Sequence, residues 1–339
     1  MIDLHLHFDG SLPVQTVLRL AKKQEIALPA SSEEELRPFL EAPADCRDLN
    51  EYLERFDLPL QVLQTREALQ EAMKDLVCEL ASEGLVYAEI RFAPQLHTSR
   101  GFNQRQVVEA VLEGMNEGLK ENPSLLDAGL ILCCMRGSDN QEANQETVEL
   151  AGEFIGHTKV AAVDLAGAEG LFFTGDYKPL FELAMKKKIP YTIHAGEADG
   201  PESVKAAVSM GAKRIGHGVR CIEDPAAEAE IREKGIVLEC CVTSNIQTRA
   251  FASAEEHPLL KLLRSGIKVT VNTDNMTVSN TTIAKEFELL KKCGMTEDEK
   301  AQLLRNSVEA AFLQEEKKAL LMEKVLKREK EVEKYKKLL

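Results

Sequence analysis

Eight short, apolar, β-branched runs with helix-patterned segments between them predict an α/β fold, a (β/α)8 barrel of the TIM type. Two further observations support this fold. Each intervening segment is long enough to carry a crossover between parallel strands. Four of the seven histidines lie at the carboxyl ends of the runs, where barrels of this kind build their sites.

The strands are expected at about Ile2–His7, Leu85–Ala93, Ala128–Met135, Val160–Leu165, Tyr191–His194, Arg214–Gly216, Ile236–Cys240 and Lys268–Asn272. Helical spacing is read over Gln104–Lys120, Asn140–Ile155, Lys178–Lys188, Pro201–Met210, Pro225–Lys234 and Pro258–Ser265. The segment 11–82 breaks the alternation with helices at Pro13–Gln24, Ser32–Leu40, Asp48–Phe56 and Arg66–Ala81. No flexible linker bounds it, so it is read as an inserted helical lid on a single domain covering 1–339. The segment 296–339 is read as extra C-terminal helices, and Glu315–Leu339 as an amphipathic surface helix. There is no internal repeat and no low-complexity tract.

The 339 residues are 44% hydrophobic, enough for a sizeable core. With 42 basic and 56 acidic side chains the formal charge is −14. That charge repels phosphate backbones and anionic lipid, so neither nucleic acid nor membrane is an expected partner. No apolar stretch would span a bilayer, and the opening MIDLHLHFDG does not read as a secretory signal. The eight cysteines form no C-x-x-C pair and several sit in apolar runs. They are read as buried free thiols in a cytoplasmic protein.

The first strand gives His5-Leu6-His7. Residues two apart on a strand share a face, so both imidazoles can reach one ion. Alone, this pair fits a structural role equally well. The fifth strand runs into His194-Ala195-Gly196-Glu197, the sixth into His217-Gly218, and the eighth into Asn272-Thr273-Asp274-Asn275. One hydrogen-bonded core histidine would be unremarked; four at one rim call for another explanation. His5, His7, His194 and Asp274 form a plausible ligand set for one zinc ion, with bonds of roughly 2.0–2.2 Å. Zinc lowers the pKa of its water to about 7, which supplies hydroxide at neutral pH. His217 is then free to orient that hydroxide and take its proton. Glu197 is free to exchange protons with a substrate; taken alone, it would be read as a helix N-terminal acid. His97, His157 and His257 are read as exposed or structural, although His97 follows the second strand closely. The residues by themselves indicate metal-assisted hydrolysis and no narrower reaction.

Together the motifs resemble the adenosine deaminase family. They are H-x-H-x-D-G-S-L at His5–Leu12, Y-A-E-I-R-F-A-P at Tyr87–Pro94, D-L-A-G at Asp164–Gly167 and H-A-G-E at His194–Glu197. R-I-G-H-G at Arg214–Gly218, T-S-N at Thr243–Asn245 and N-T-D at Asn272–Asp274 complete the series. The resemblance implies one zinc ion per subunit on His5, His7, His194 and Asp274. It implies a hydrolase that converts adenosine, and 2′-deoxyadenosine, to inosine or deoxyinosine plus ammonia, in purine salvage. Glu197 would protonate the purine N1, and His217 would serve as base with Asp274 helping to orient the hydroxide. Substrate contacts are implied at His7, Asp9, Gly167 and Asn275: the Gly167 backbone at N3, Asn275 at N7, and Asp9 at the ribose 5′-hydroxyl. The residue matching Asp9 is usually Glu in adenine deaminases and Asn in deaminases of methylated AMP. Asp accepts from a free hydroxyl and repels a 5′-phosphate. Ser11 is the better-placed cap for the helix near Pro13, which leaves Asp9 for that contact.

The sequence departs from the pattern twice. Asn275 stands where many relatives have Asp, and its amide can still donate to N7. Val242 stands where Pro usually precedes T-S-N, which touches only local loop geometry. The alternative enzyme is an adenine or modified-purine deaminase of the same superfamily. The H-x-E and P-C-x-x-C motifs of the unrelated cytidine-type deaminases are absent. A barrel that has lost catalysis is a further alternative, but every expected ligand and the acid are present.

Overall fold

The computed structural model describes residues 1–336. Its strands are β1 (Ile2–His7), β2 (Tyr87–Phe92), β3 (Asp127–Met135), β4 (Val160–Ala166), β5 (Thr192–Ala195), β6 (Arg214–His217), β7 (Val237–Cys240) and β8 (Lys268–Val271). β1 to β4 pair in chain order, as do β5 to β8, and every pairing is parallel. Single parallel bridges join Val163 to Tyr191 and Leu6 to Asp274. The second is reinforced by His7 N donating to Asp274 O at 2.7 Å and Asp274 N donating to His5 O at 2.8 Å. The two half-sheets therefore meet at both seams, giving the expected closed barrel.

Helices cover the outside, so the strands are buried on both faces and read as near-continuous apolar runs. β2, β5, β6 and β7 are buried at every residue. Their charged exceptions pair inside the barrel. Arg91 donates to Asp164 at 2.7 Å and to Glu239 at 2.8 Å; Arg214 donates to Glu239 at 2.6 Å and to Glu89 at 2.5 Å. Removing one partner of such a buried pair costs about 3–5 kcal/mol, because the other charge is stranded.

Between β1 and β2 run helices Val14–Lys23, Glu33–Leu40, Leu49–Leu53, Asp57–Val62 and Arg66–Ser82. The last packs its apolar stripe, including Leu69, Met73, Leu76 and Leu80, into the main core beside helix Gln104–Glu121. It is the crossover into β2. The part that covers the cavity runs from Leu49 to Leu60. Ser11 does not cap the first helix, which starts after Pro13 without a side-chain cap. Its hydroxyl instead accepts from the Met276 amide at 3.0 Å, tying the β1 turn to the β8 turn.

After β8, helices Ile283–Lys292, Glu297–Ala310 and Glu315–Lys336 follow; residues 337–339 of the expected terminal helix lie outside the described residues. Phe312 N donates to Glu89 Oε1 at 2.6 Å, and the Arg214 guanidinium stacks 4.1 Å from the Phe312 ring centroid. This segment thus meets the barrel at the end of β6 opposite His217. All eight cysteines are free: six are buried, and Cys78 and Cys293 are half-buried. Among the described residues no helix is long and apolar enough to cross a membrane.

Candidate metal centre and active site

The strand that carries His5 and His7 is irregular. Asp3 pairs with Ala88 but Leu6 with Ile90, so β1 holds one extra residue between them. A bulge of this kind re-aims side chains. Asp3 secures it: Oδ1 accepts from His5 N at 3.0 Å, and Oδ2 accepts from Thr273 Oγ1 at 2.6 Å. His217 (φ 60°) and Asp274 (φ 61°) sit in the left-handed region. Non-glycine residues held there cluster at functional sites.

The four expected ligands converge. His7 Nε2 is 3.2 Å from His194 Nε2, and Asp274 Oδ1 is 3.4 Å from both His5 Nε2 and His7 Nε2. Tetrahedral ligands about 2.1 Å from an ion stand roughly 3.4 Å apart, so these spacings suit one ion. His5 Nε2 is buried with no hydrogen-bond partner, which a metal would satisfy. Burial holds the His7 and His194 imidazoles below the usual histidine range, in the neutral form that ligates metals. Burial alone would raise Asp274, but the imidazoles of His5, His217 and His7 hold it well below the carboxylate range. These four side chains form a cluster able to hold a metal ion.

Beneath them lies a layer of buried charges to which the sequence analysis gives no role. His5 Nδ1 is 2.7 Å from Glu239 Oε2, and His194 Nδ1 is 2.9 Å from Asp164 Oδ2. Carboxylates placed so fix the tautomer and angle of ligating imidazoles. Arg91 bridges the two carboxylates, so both imidazoles are held from one buried network.

Glu197, His217 and Asp274 make a second, overlapping cluster. Glu197 is buried and outside the first ligand set. Its Oε1 accepts from Thr248 Oγ1 at 3.1 Å, and its Oε2 is 3.5 Å from His217 Nε2. Burial raises its pKa above the ordinary value, partly offset by His217. One carboxylate is thus pushed up and its neighbour Asp274 down, the usual signature of divided acid and base roles. Glu169, absent from the sequence reading, accepts from the amides of Gly196, Glu197, Ala198 and Asp199 at 2.6–3.1 Å and so fixes the turn that bears Glu197. Ser244 Oγ donates to Asp274 Oδ2 at 2.6 Å. Ser244 and Asn245 lie on the helix Val242–Gln247.

The cavity above these groups is lined by His7, Asp9, Gly167, Glu197, His217, Asp274 and Asn275, and is roofed by Leu49, Tyr52, Leu53, Phe56 and Leu60. Asp9 Oδ1 is buried with no hydrogen-bond partner. Burial lifts the Asp9 carboxyl to about 6 although backbone amides pull it down. Gly167 has φ 105°, and a Cβ there would meet Met135 Cε at 3.3 Å; only glycine presents its backbone here without strain. Asn275 Nδ2 donates to Tyr52 Oη at 3.0 Å, one hydrogen of the amide remaining for another acceptor. His97 is buried, is not among the residues lining the cavity, and bonds to Leu63 O at 2.9 Å, and His157 is exposed. His257 is buried and bonds to Asn245.

A closed parallel barrel with histidines and a carboxylate gathered at its carboxyl rim, next to a buried acid, defines the class of barrel hydrolases that act through a metal-activated water. The family model described as adenosine deaminase matches residues 1–328, and the chain belongs to that family. It is 51% identical over 325 residues to the adenosine deaminase of Haemophilus ducreyi, covering 95% of this chain and 94% of that one. It is 44% identical over 324 residues to one from Clostridium botulinum, covering 94% and 96%. Among solved structures it resembles an adenine deaminase from Arthrobacter aurescens, with TM-score 0.87, 28% identity, and 97% and 98% of the chains covered. It also resembles an Arabidopsis N6-mAMP deaminase, with TM-score 0.82, 26% identity, and 94% and 95% covered.

Proposed function

We propose that this protein hydrolyses adenosine, and 2′-deoxyadenosine, to the inosine product and ammonia. The observation that carries the reading is the convergence of His5, His7, His194 and Asp274 beneath a cavity that Glu197 and His217 also face. The relatives named adenosine deaminase favour the nucleoside. So does Asp9, whose unpartnered Oδ1 suits a ribose 5′-hydroxyl and would repel a phosphate. We take the chain as a single domain working in purine salvage in the cytoplasm.

In this reading His5, His7, His194 and Asp274 hold zinc, which when bound supplies Lewis acidity and an activated water at neutral pH. Glu197, whose proton affinity burial raises, delivers a proton to the purine N1, making the amino-bearing carbon more electrophilic. His217 and Asp274 orient the attacking water. Asp9 grips the 5′-hydroxyl, the Gly167 backbone meets N3, and the free Asn275 hydrogen meets N7. His7 adds the edge of its ring to the base-binding wall. The roof from Leu49 to Leu60 excludes bulk water, which strengthens each of these polar contacts.

Turnover of adenosine, 2′-deoxyadenosine, adenine and AMP, each with and without a strong chelator, tests the reading. The nucleosides should be deaminated fastest and the chelator should abolish turnover. Equal or faster release of ammonia from adenine would replace this reading by the adenine-deaminase alternative, which the Arthrobacter aurescens structural likeness keeps in view.

A further inference from the structure

His257 belongs to neither candidate cluster, yet a directional chain of hydrogen bonds connects it to His217. Leu259 N donates to His257 Nδ1 at 3.3 Å. A backbone N–H can only donate, so Nδ1 carries no hydrogen. Burial pushes this imidazole down to about 3, so the ring is neutral and its one hydrogen is on Nε2. That nitrogen is 3.1 Å from Asn245 Oδ1, which can only accept. The orientation of the amide is thereby set. Its NH2 faces His217 Nδ1 at 3.0 Å and Glu197 Oε1 at 3.5 Å. Because that NH2 donates, His217 Nδ1 is an acceptor, and the hydrogen of the neutral His217 ring is on Nε2. Nε2 is the nitrogen that faces Glu197 Oε2. Turning the amide over would set its NH2 against the His257 Nε2–H, a repulsive contact in place of an attractive one.

We propose that Asn245 and His257 are positioning residues that hold His217 in its Nε2–H tautomer, so that His217 meets the attacking water as a hydrogen-bond donor. This rests on the deaminase reading above for the water, and on the hydrogen-bond chain alone for the tautomer. It departs from the role of base expected for His217 from the sequence. Accepting a proton at Nε2 would first require moving the ring hydrogen to Nδ1, against the Asn245 NH2.

The test is nitrogen-15 NMR of the full-length, zinc-loaded protein labelled at histidine, without substrate. The His217 resonances are assigned by their loss in His217→Ala. Wild-type protein should show His217 Nδ1 without a hydrogen and Nε2 with one. His257→Leu, which frees the amide to turn, should give mixed tautomers. Asn245→Asp, whose carboxylate accepts from both rings, should give the Nδ1–H form. In both variants kcat for adenosine should fall about 10- to 100-fold with KM nearly unchanged. His257→Gln keeps a donor for Asn245 Oδ1 and should restore both the wild-type nitrogen pattern and most of the rate. A wild-type His217 carrying its hydrogen on Nδ1 would overturn the proposal, as would an unchanged His217 pattern in His257→Leu. The spectrum requires no turnover. The expected tautomer in a protein that does not deaminate adenosine would count against the deaminase reading and not against this one.

Discussion

Replacing Asp9 by alanine should discriminate between substrates by whether they carry a 5′-hydroxyl. In the structure Asp9 Oδ1 is buried and has no partner within the protein, so a hydroxyl placed there gains a bond to a carboxylate without displacing an existing one. A hydrogen bond to a charged group contributes about 1.5–3 kcal/mol. At about 1.4 kcal/mol per factor of ten, its loss corresponds to roughly 10- to 150-fold in kcat/KM. The assay is the fall in absorbance on deamination, run on wild-type and Asp9→Ala protein with adenosine and with 5′-deoxyadenosine. The four rates form a double-mutant cycle between protein and substrate. Adenosine should lose the full factor and 5′-deoxyadenosine should lose little. Any general damage to the turn Asp9–Ser11 would lower both rates alike and cancel from the cycle. Equal losses on the two substrates would refute the contact and remove the main structural reason for preferring a nucleoside.

Other expectations follow from the same site. Glu197→Gln keeps the shape and leaves the four ligands intact, so metal content should be unchanged while kcat falls about 10²- to 10⁴-fold; normal turnover would place the proton donor elsewhere. Glu239→Gln removes the carboxylate shared by His5, Arg91 and Arg214. It should weaken zinc about 10- to 100-fold in competition with a chromophoric chelator and lower stability by about 3–5 kcal/mol; an unaltered zinc affinity would mean the network does not hold His5. His97 is lowered to about 4 by burial, below its value of about 6.5 in an unfolded chain. Its contribution to stability is therefore present above about pH 6.5 and is lost as the pH falls toward 4. Urea unfolding at pH 7 and pH 5 should show about 2 kcal/mol of acid sensitivity that His97→Gln lacks; the same sensitivity in the variant would assign it to other groups.

The barrel was legible because its strands are short, β-branched and buried on both faces, a pattern that survives without knowledge of tertiary contacts. All eight expected strands form, with ends shifted by a residue or two. The candidate ligand cluster was legible because imidazoles at strand ends are scarce enough to stand out, and the structure brings those side chains together. The layer below them was harder. Glu239 and Arg91 sit inside apolar runs, and the two bond to each other across 148 residues of chain. The available signal was a lone charge in a strand that had to be buried, which demands a partner, but sequence alone does not say which. Glu169 gave no signal, since its role is to accept from backbone amides. The helix Ile283–Lys292 is not among the expected helices, although its Thr282 cap and the apolar spacing of Ile283, Phe287 and Leu290 are sequence signals for one. Ser11 does not serve as the expected cap because its partner, the Met276 amide, arrives from the far seam of the barrel.

One zinc ion held where His5, His7, His194 and Asp274 meet is the centre of the proposed mechanism. Anomalous scattering measured at the zinc edge on crystals of the purified, active protein addresses this directly. The expected result is a single strong peak per chain bounded by those four side chains and absent after chelation. Full activity in crystals with no peak at that position would contradict it.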